Sequence, residues 1–291
     1  MIDGLRTITG KAKVAGLIGW PVSHSRSPRL HGYWLAQHGI DGVYVPLPVA
    51  PENLQAAVRG LAAAGLAGVN VTIPHKQAVM ALCDRVDAAA RRIGAVNLLV
   101  FGADGITGSN TDGFGFMANL RETAPAWKAA APAVLLGAGG GARAVAVGLL
   151  DAGVPELRLA NRNRARAEQL AAELAPELGG PGGVAVRVVA WEERGAALAG
   201  AGLLVNSTSL GMAGQPPLAL DLAELPGDAV VADLVYSPLE TALLAAARAK
   251  GCVGVDGLGM LLHQARPCFA AWFGPDPQVT PALRRYVMGE G

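Results

Sequence analysis

Ala133-Val-Leu-Leu-Gly-Ala-Gly-Gly-Gly-Ala142 decides the fold of this chain. Ala133 to Leu136 is a short apolar run of the kind that forms a strand buried on both faces. Gly137 to Gly141 follows directly, and Ala144-Val-Ala-Val-Gly-Leu-Leu150 then has the apolar density of a buried helix. Strand, Gly-x-Gly-x-x-Ala, helix is the dinucleotide fingerprint in the context it requires. Gly137 permits a tight turn, Gly139 lets backbone approach a pyrophosphate, and Ala142 keeps the helix close to the strand. Ala138, Gly140 and Gly141 complete the loop, and the helix turns its unpaired N–H groups and positive dipole end toward phosphate. A loop of this kind can also hold S-adenosylmethionine, so the cofactor needs a second feature.

That feature is the end of the next strand, Leu157-Arg-Leu-Ala-Asn161-Arg162. An NAD site usually places an acid there, about 20 residues after the glycines, on the ribose 2′-hydroxyl. This chain has Asn161 and Arg162 instead, with Arg166 four residues further on. Side chains four apart share a helix face, so the two guanidinium groups can clamp a 2′-phosphate. The expected cofactor is NADP rather than NAD. The competing account is a solvated basic face, because Arg158 and Arg164 stand nearby.

Outward from the loop, short apolar runs alternate with helical patterns, which implies βαβ units. Upstream, strands are expected at Val14 to Gly19, Val43 to Val49 and Gly68 to Ile73, with helices at Pro28 to His38, Pro51 to Gly65 and Lys76 to Cys83. A hairpin is expected around Asp104-Gly105, and a helix from Gly113 leading into a connection that ends near Lys128. Downstream, strands are expected at Val184 to Ala190, Leu203 to Asn206 and Val230 to Val235, and Gly179-Gly-Pro-Gly-Gly183 is a loop. Leu258 to Phe273 reads as a last apolar helix that packs back on the first domain. The expected fold is α/β with two domains. Residues 1–112 and 258–291 form a substrate-binding domain with a mostly parallel sheet, and 113–257 form a Rossmann-type domain for NADP.

Composition narrows the partners. Much of the hydrophobic share of 52% is alanine, and no stretch approaches the roughly 20 apolar residues of a spanning helix. The first residues lack an apolar signal core, so a cytoplasmic protein is expected. A net charge of +1 creates no field for nucleic acid or anionic lipid. The expected partner is a small molecule, bound by a monomer or a homodimer. Cys83, Cys252 and Cys268 are far apart and the five histidines form no ligand pair, so no disulfide and no metal are expected.

Polar clusters in the first domain point to that small molecule. Ser25-Arg-Ser-Pro28 opens a helix; Ser27 before Pro28 suits an N-cap, which leaves Ser25 free. Two hydroxyls at a helix start also suit a carboxylate. In Gly68-Val-Asn-Val-Thr-Ile-Pro-His-Lys76, Asn70 and Thr72 share one strand face, and Pro74 delivers Lys76 to the mouth of the sheet. Gly94-Ala-Val-Asn97 and Gly108-Ser-Asn-Thr-Asp-Gly113 complete the set, with Asp112 at the expected domain boundary, where it could also cap the helix that follows.

Together these strings resemble the shikimate dehydrogenase family over nearly the whole chain. The matches continue in order through Asn206-Ser-Thr-Ser-Leu-Gly-Met212, Asp233-Leu-Val-Tyr-Ser-Pro238 and Gly257-Leu-Gly-Met-Leu-Leu-His-Gln264. The resemblance implies metal-free reduction of 3-dehydroshikimate to shikimate by NADPH, in the biosynthesis of chorismate and the aromatic amino acids. It implies that Ser25 and Ser27 hold the substrate carboxylate, that Thr72, Asn97 and Gln264 bind ring hydroxyls, and that Tyr236 faces the substrate. It makes Lys76 and Asp112 the acid/base pair, with either able to carry the proton. Gly137 to Gly141, Asn161, Arg162, Arg166, Leu234, Gly257 and Met260 would line the cofactor. Gly141 stands where alanine is frequent, Leu98 where threonine is common, and Asn163 where threonine is usual, which removes one hydroxyl from the 2′-phosphate. His75 and His263 receive no role. The alternatives are a quinate or aminoshikimate dehydrogenase of the same family and a non-catalytic NADP-binding sensor.

Overall fold

A computed structural model describes residues 8–175 and 185–290. The expected loop Gly179 to Gly183 and Val184 of the expected strand lie outside them. The chain divides into two compact units, one holding the described residues up to Thr111 and from Gln264 on, the other Asp112–His263.

The first unit runs β1 (Lys13–Gly19), α1 (Ser27–Gln37), β2 (Gly42–Pro48), α2 (Leu54–Ala63), β3 (Gly68–Val71), β4 (Arg85–Val86), α3 (Ala88–Ile93), β5 (Leu98–Gly102) and β6 (Gly105–Ser109). Its sheet has the order β2-β1-β3-β5-β6-β4. Helical crossovers make β1, β2 and β3 parallel, whereas β5 pairs antiparallel with β3 and with β6. Ala103-Asp104 is too short a link for anything but a hairpin. Gly105 closes it at φ +103°, and a Cβ there would run into the Asp84 carboxylate, which accepts the Ile106 N–H at 2.7 Å. One face of the sheet buries Ile18, Val58, Val69, Val79, Val96 and Leu99.

The helix expected over Lys76 to Cys83 is instead a 3₁₀ stretch at Ala78–Leu82. The Lys76 carbonyl accepts the Val96 N–H at 2.8 Å. It is committed to the segment before β5, and the turn tightens to an i+3 bond from Met80 N–H to Gln77 O.

The second unit runs α4 (Asp112–Thr123), β7 (Ala133–Leu136), α5 (Gly140–Asp151), β8 (Glu156–Ala160), α6 (Arg164–Leu174), β9 (Ala185–Val189), β10 (Leu203–Asn206), β11 (Val230–Asp233), α7 (Ala242–Lys250) and β12 (Val253–Val255), and opens α8 (Gly257–Phe273). Its sheet is parallel throughout, in the order β12-β11-β10-β7-β8-β9. The strand order reverses at β7. A doubly wound sheet opens its ligand crevice at that switch point, and here the glycine loop occupies it. The division between the units falls inside α8 rather than at its start.

From Gln264 on, α8 belongs to the first unit, where the Trp272 indole N–H donates to the Leu99 carbonyl at 3.0 Å. A further helix, α9 (Pro281–Met288), has no counterpart in the sequence reading. Its start is legible in retrospect. The Thr280 hydroxyl accepts the Leu283 N–H at 3.1 Å, Pro281 takes the first turn, and Leu283 and Val287 are buried one turn apart.

His31 on α1 is fully buried and stacks on Tyr44, with ring centroids 4.1 Å apart, among Trp34, Phe269 and Trp272. Neither ring nitrogen has a hydrogen-bond partner among the described residues, and burial lowers its pKa to about 3. The unfolded chain therefore takes up this proton first as the pH falls, so stability is full above about pH 6.5 and declines from there toward pH 3. At pH 5 the loss amounts to about 2 kcal/mol. We expect the unfolding free energy from urea titration to fall between pH 7 and pH 5 by that much more for the native chain than for His31→Phe. Parallel pH dependences would show that His31 is not the group responsible.

Candidate functional site

In the first unit the hydroxyl and amide side chains converge at the carboxyl ends of β1 and β3. Ser27 is the first residue of α1 and not its N-cap, contrary to the sequence reading. Arg26 already has helical backbone angles (φ −90°, ψ −3°) and makes no side-chain cap bond. The Ser25 hydroxyl accepts the Ser27 N–H at 3.3 Å, and the buried Ser27 hydroxyl bonds to Tyr44. Tyr44 in turn donates to Asn70 Oδ1 at 2.7 Å. Burial, with Cys268 alongside, raises the Tyr44 hydroxyl well above its ordinary pKa, opposed by the Ser27 hydrogen bond. The phenol stays protonated and donating.

Asn70 passes the network on. Its Nδ2 donates to the Asn97 carbonyl at 3.1 Å and to Cys268 Sγ at 3.2 Å. Asn97 Oδ1 accepts the Thr111 N–H at 2.8 Å, while Asn97 Nδ2 donates to Thr111 Oγ1 at 3.0 Å and reaches Gln264 Oε1 at 3.4 Å. Asn97, Thr111 and Gln264 are all buried. A satisfied buried polar network fixes the direction of each member. Ser27, Asn97 and Gln264 thus belong to one network, joined by Tyr44, Thr111 and Cys268, to which the sequence reading gave no role.

Thr72 and Lys76, both half-buried, lie in the turn beyond β3. Thr72 N–H donates to Ile18 O at 2.9 Å, and a Cβ on Gly19 would overlap the Thr72 methyl group. Two anchors hold Lys76. Its carbonyl is bound by Val96, and the adjacent His75, 2% exposed, places Nε2 2.7 Å from Val49 O. The ammonium group thus leaves a fixed stretch of backbone.

In the second unit Asp112 is buried and is the first residue of α4. The glycine loop turns at Gly137 (φ +111°), where a Cβ would press on Ser207, whose hydroxyl donates to Leu136 O at 2.6 Å. Gly139, by contrast, faces open space, and no side chain caps α5 behind it. The loop is therefore backed by protein at its first glycine and bare at its third position, the cradle a pyrophosphate needs.

At the end of β8 the arginines sort themselves. Arg158 is tied to the carbonyls of Ala197 and Ala199, both at 2.7 Å, and to Glu156 at 2.9 Å, while Arg164 pairs with Glu168 at 2.7 Å. Arg162 and Arg166 are exposed, and their side chains make no hydrogen bond or ion pair among the described residues. The basic face divides into two braced and two available guanidinium groups. Asn161 Nδ2 donates to Asn163 O at 2.7 Å and shapes the turn between β8 and α6.

Leu234, Gly257 and Met260 line one depression beside Phe116 and Asn119. Gly257 packs so closely on the Leu234 carbonyl that no Cβ fits. Leu234 and Tyr236 follow Asp233, which is 1% exposed. Asp233 accepts from Asn206 Nδ2 at 2.9 Å, Val235 N–H at 3.0 Å and Thr241 Oγ1 at 2.7 Å. Burial raises its pKa, opposed by these hydrogen bonds. Asn206 and Asp233 tie the ends of β10 and β11 together, a positioning role the sequence reading left unassigned. No group of three or more His, Cys, Asp or Glu side chains among the described residues could hold a metal ion.

A switch-point glycine cradle with spare arginines beside it, on a chain whose other unit gathers hydroxyl and amide groups, defines the two-unit dinucleotide-binding α/β class. Comparison with known proteins narrows this. Residues 17–99 match the model of the shikimate dehydrogenase substrate binding domain. A shikimate dehydrogenase (NADP(+)) of Rhodospirillum rubrum is 60% identical over 285 residues, covering 97% of this chain and 99% of that one. A Thermus thermophilus shikimate 5-dehydrogenase solved with NADP(H) and shikimate superposes with TM-score 0.83 at 34% identity, over 96% of this chain and 99% of that one. A Corynebacterium glutamicum quinate dehydrogenase solved with NAD gives TM-score 0.87 at 36% identity, over 96% and 99%. The chain belongs to the shikimate dehydrogenase family.

Proposed function

We propose that this chain interconverts 3-dehydroshikimate and shikimate as an NADP-dependent oxidoreductase acting on a CH–OH group, within aromatic amino acid biosynthesis. The observation that carries the substrate is the buried network from Ser27 through Tyr44 and Asn70 to Asn97, Thr111 and Gln264. A ring bearing one carboxylate and several hydroxyls needs such a mixture of donors and acceptors. Ser25 and Ser27, at the positive end of α1, receive the carboxylate. Thr72, Asn97 and Gln264 bind ring hydroxyls, and Tyr236 faces the substrate.

Gly137, Ala138, Gly139, Gly140 and Gly141 hold the pyrophosphate, Asn161, Arg162 and Arg166 the 2′-phosphate end, and Leu234, Gly257 and Met260 the other end of the cofactor. NADPH, when bound, supplies the hydride. Lys76 and Asp112 form the acid/base pair: Lys76 stabilises negative charge developing on the C3 oxygen, and the pair delivers the proton to that atom. The unit that holds the described residues up to Thr111 and from Gln264 on serves the substrate, and Asp112–His263 serves the cofactor and supplies Asp112. The reading extends to a cytoplasmic monomer or homodimer with a small-molecule partner; no helix among the described residues is long and apolar enough to cross a membrane.

The test compares kcat/KM for shikimate and quinate, each with NADP⁺ and NAD⁺. Shikimate with NADP⁺ is expected to lead. A quinate preference would move the chain to the quinate branch of the family, and no absorbance change at 340 nm with either substrate would leave a binding protein.

A further inference from the structure

Asn119 lies on α4 seven residues after Asp112, on the same helical face. It is 5% exposed, an uncommon place for an amide. Its Nδ2 donates to the Asp256 carbonyl at 2.8 Å, and its Oδ1 accepts from Thr123 at 3.4 Å. The same amide lies against Gly259 so closely that a Cβ at that position would overlap it. Asp256 opens α8 by accepting the N–H groups of Leu258 at 3.0 Å and Gly259 at 3.4 Å. Between these residues stands Gly257, pressed on the Leu234 carbonyl.

The other flank of α4 is seated equally closely. A Cβ on Gly113 would meet the Ala144 carbonyl of α5 at 3.0 Å, and one on Gly148 of α5 would meet the Met117 side chain at 3.0 Å. The helix that begins with Asp112 is thus set into α5 on one side and latched by one amide to the start of α8 on the other. An apolar side chain at 119 would fill the volume but lose the hydrogen bond that ties α4 to the Asp256 carbonyl. An amide fixes direction as well as distance.

We propose that Asn119 is a positioning residue for the reaction: it holds α4, and Asp112 at its head, in register with Leu234, Gly257 and Met260. The proposal rests on the reading of Asp112 as one of the acid/base pair. It predicts a selective defect. Misplacing a reacting group by about 1 Å costs up to about a hundredfold in rate, whereas the Arg162 and Arg166 end of the cofactor site lies outside the latch.

The experiment measures kcat, KM for shikimate, affinity for adenosine 2′,5′-bisphosphate and thermal midpoint in Asn119→Ala, Asn119→Ser, Asp112→Asn and the Asp112→Asn/Asn119→Ala double variant. Assays are run below each midpoint. Asn119→Ala is expected to lower kcat about ten- to a hundredfold, with KM for shikimate and bisphosphate affinity held within about threefold. Asn119→Ser, which keeps a shorter donor, is expected to fall between it and the native chain. Because Asn119 acts through Asp112, the double variant should be within about twofold of Asp112→Asn alone. Native kcat in folded Asn119→Ala or Asn119→Ser, or multiplying losses in the double variant, would overturn the proposal while leaving the acid/base reading intact. Native turnover in Asp112→Asn would overturn that reading, and the proposal with it.

Discussion

Lys76→Ala is expected to lower kcat by about 10² to 10⁴, the usual contribution of positioned acid/base catalysis, while KM for shikimate stays within several-fold. The split follows from where the binding groups stand. In the proposed function, affinity for the substrate is spread over Ser25, Ser27, Thr72, Asn97 and Gln264, and Ser27, Asn97 and Gln264 belong to one network joined through Tyr44, Asn70 and Thr111. The turn also survives the change. Lys76 is fixed by its carbonyl, through Val96, and by the neighbouring His75 on Val49, and neither anchor uses the ammonium group. The cost should therefore fall on the transition state, where negative charge develops on the reacting oxygen. Rapid-mixing single-turnover rates with equilibrium substrate binding make the check. Abolished binding with a normal chemical step would show that Lys76 is a substrate-holding charge.

Arg162→Ala and Arg166→Ala are each expected to raise KM for NADP⁺ by about ten- to a hundredfold, with NAD⁺ kinetics within about twofold. A hydrogen bond to a charged group contributes about 1.5–3 kcal/mol, and about 1.4 kcal/mol corresponds to a factor of ten. Exposed charges are screened by salt, so the preference for NADP⁺ should shrink as ionic strength rises. Equal loss with NAD⁺ would mean that the arginines support the local fold rather than the phosphate. Arg158→Ala is not equivalent: that side chain is committed to the carbonyls of Ala197 and Ala199, so its loss should appear in stability.

The parts of the fold legible in the sequence depend on neighbours a few residues apart. Ala133 to Leu136, the glycines and the following helix form one local unit, because strand burial, turn geometry and helix packing all act within about 20 residues. The hairpin at Ala103-Asp104 is equally local. Errors arose where a distant partner took over a backbone group. Lys76 to Cys83 carries a helical pattern, yet Val96 claims the Lys76 carbonyl and the segment tightens into a 3₁₀ turn. Ser27 has the sequence of a cap, yet Arg26 has already entered the helix and the hydroxyl serves Tyr44 instead.

The candidate site divides the same way. Residue types and their order named Ser25, Thr72, Lys76, Asn97 and Asp112, because hydroxyls, amides and charges interrupt otherwise apolar strings there. Tyr44 and Cys268 gave no such signal, and Thr111 stood inside one of these strings with no role assigned to it. Each is an ordinary residue in its own segment, and each enters the network from a different element. Asn119 looked like one polar position on a helix until its amide met Asp256 and Gly259, 137 residues or more away in the chain.

The dinucleotide unit, the absence of an acid after β8 and the polar motifs of the other unit are all readable along the chain, since they rest on local geometry and side-chain chemistry. The tertiary structure decided which of four neighbouring arginines are available, that the first sheet turns antiparallel at β5, and which buried groups orient the site residues. The physical reason is that hydrogen bonds and burial are satisfied by whatever lies close in space. Spacing along the chain records a residue's own preference, and only the packed fold records which partner meets it.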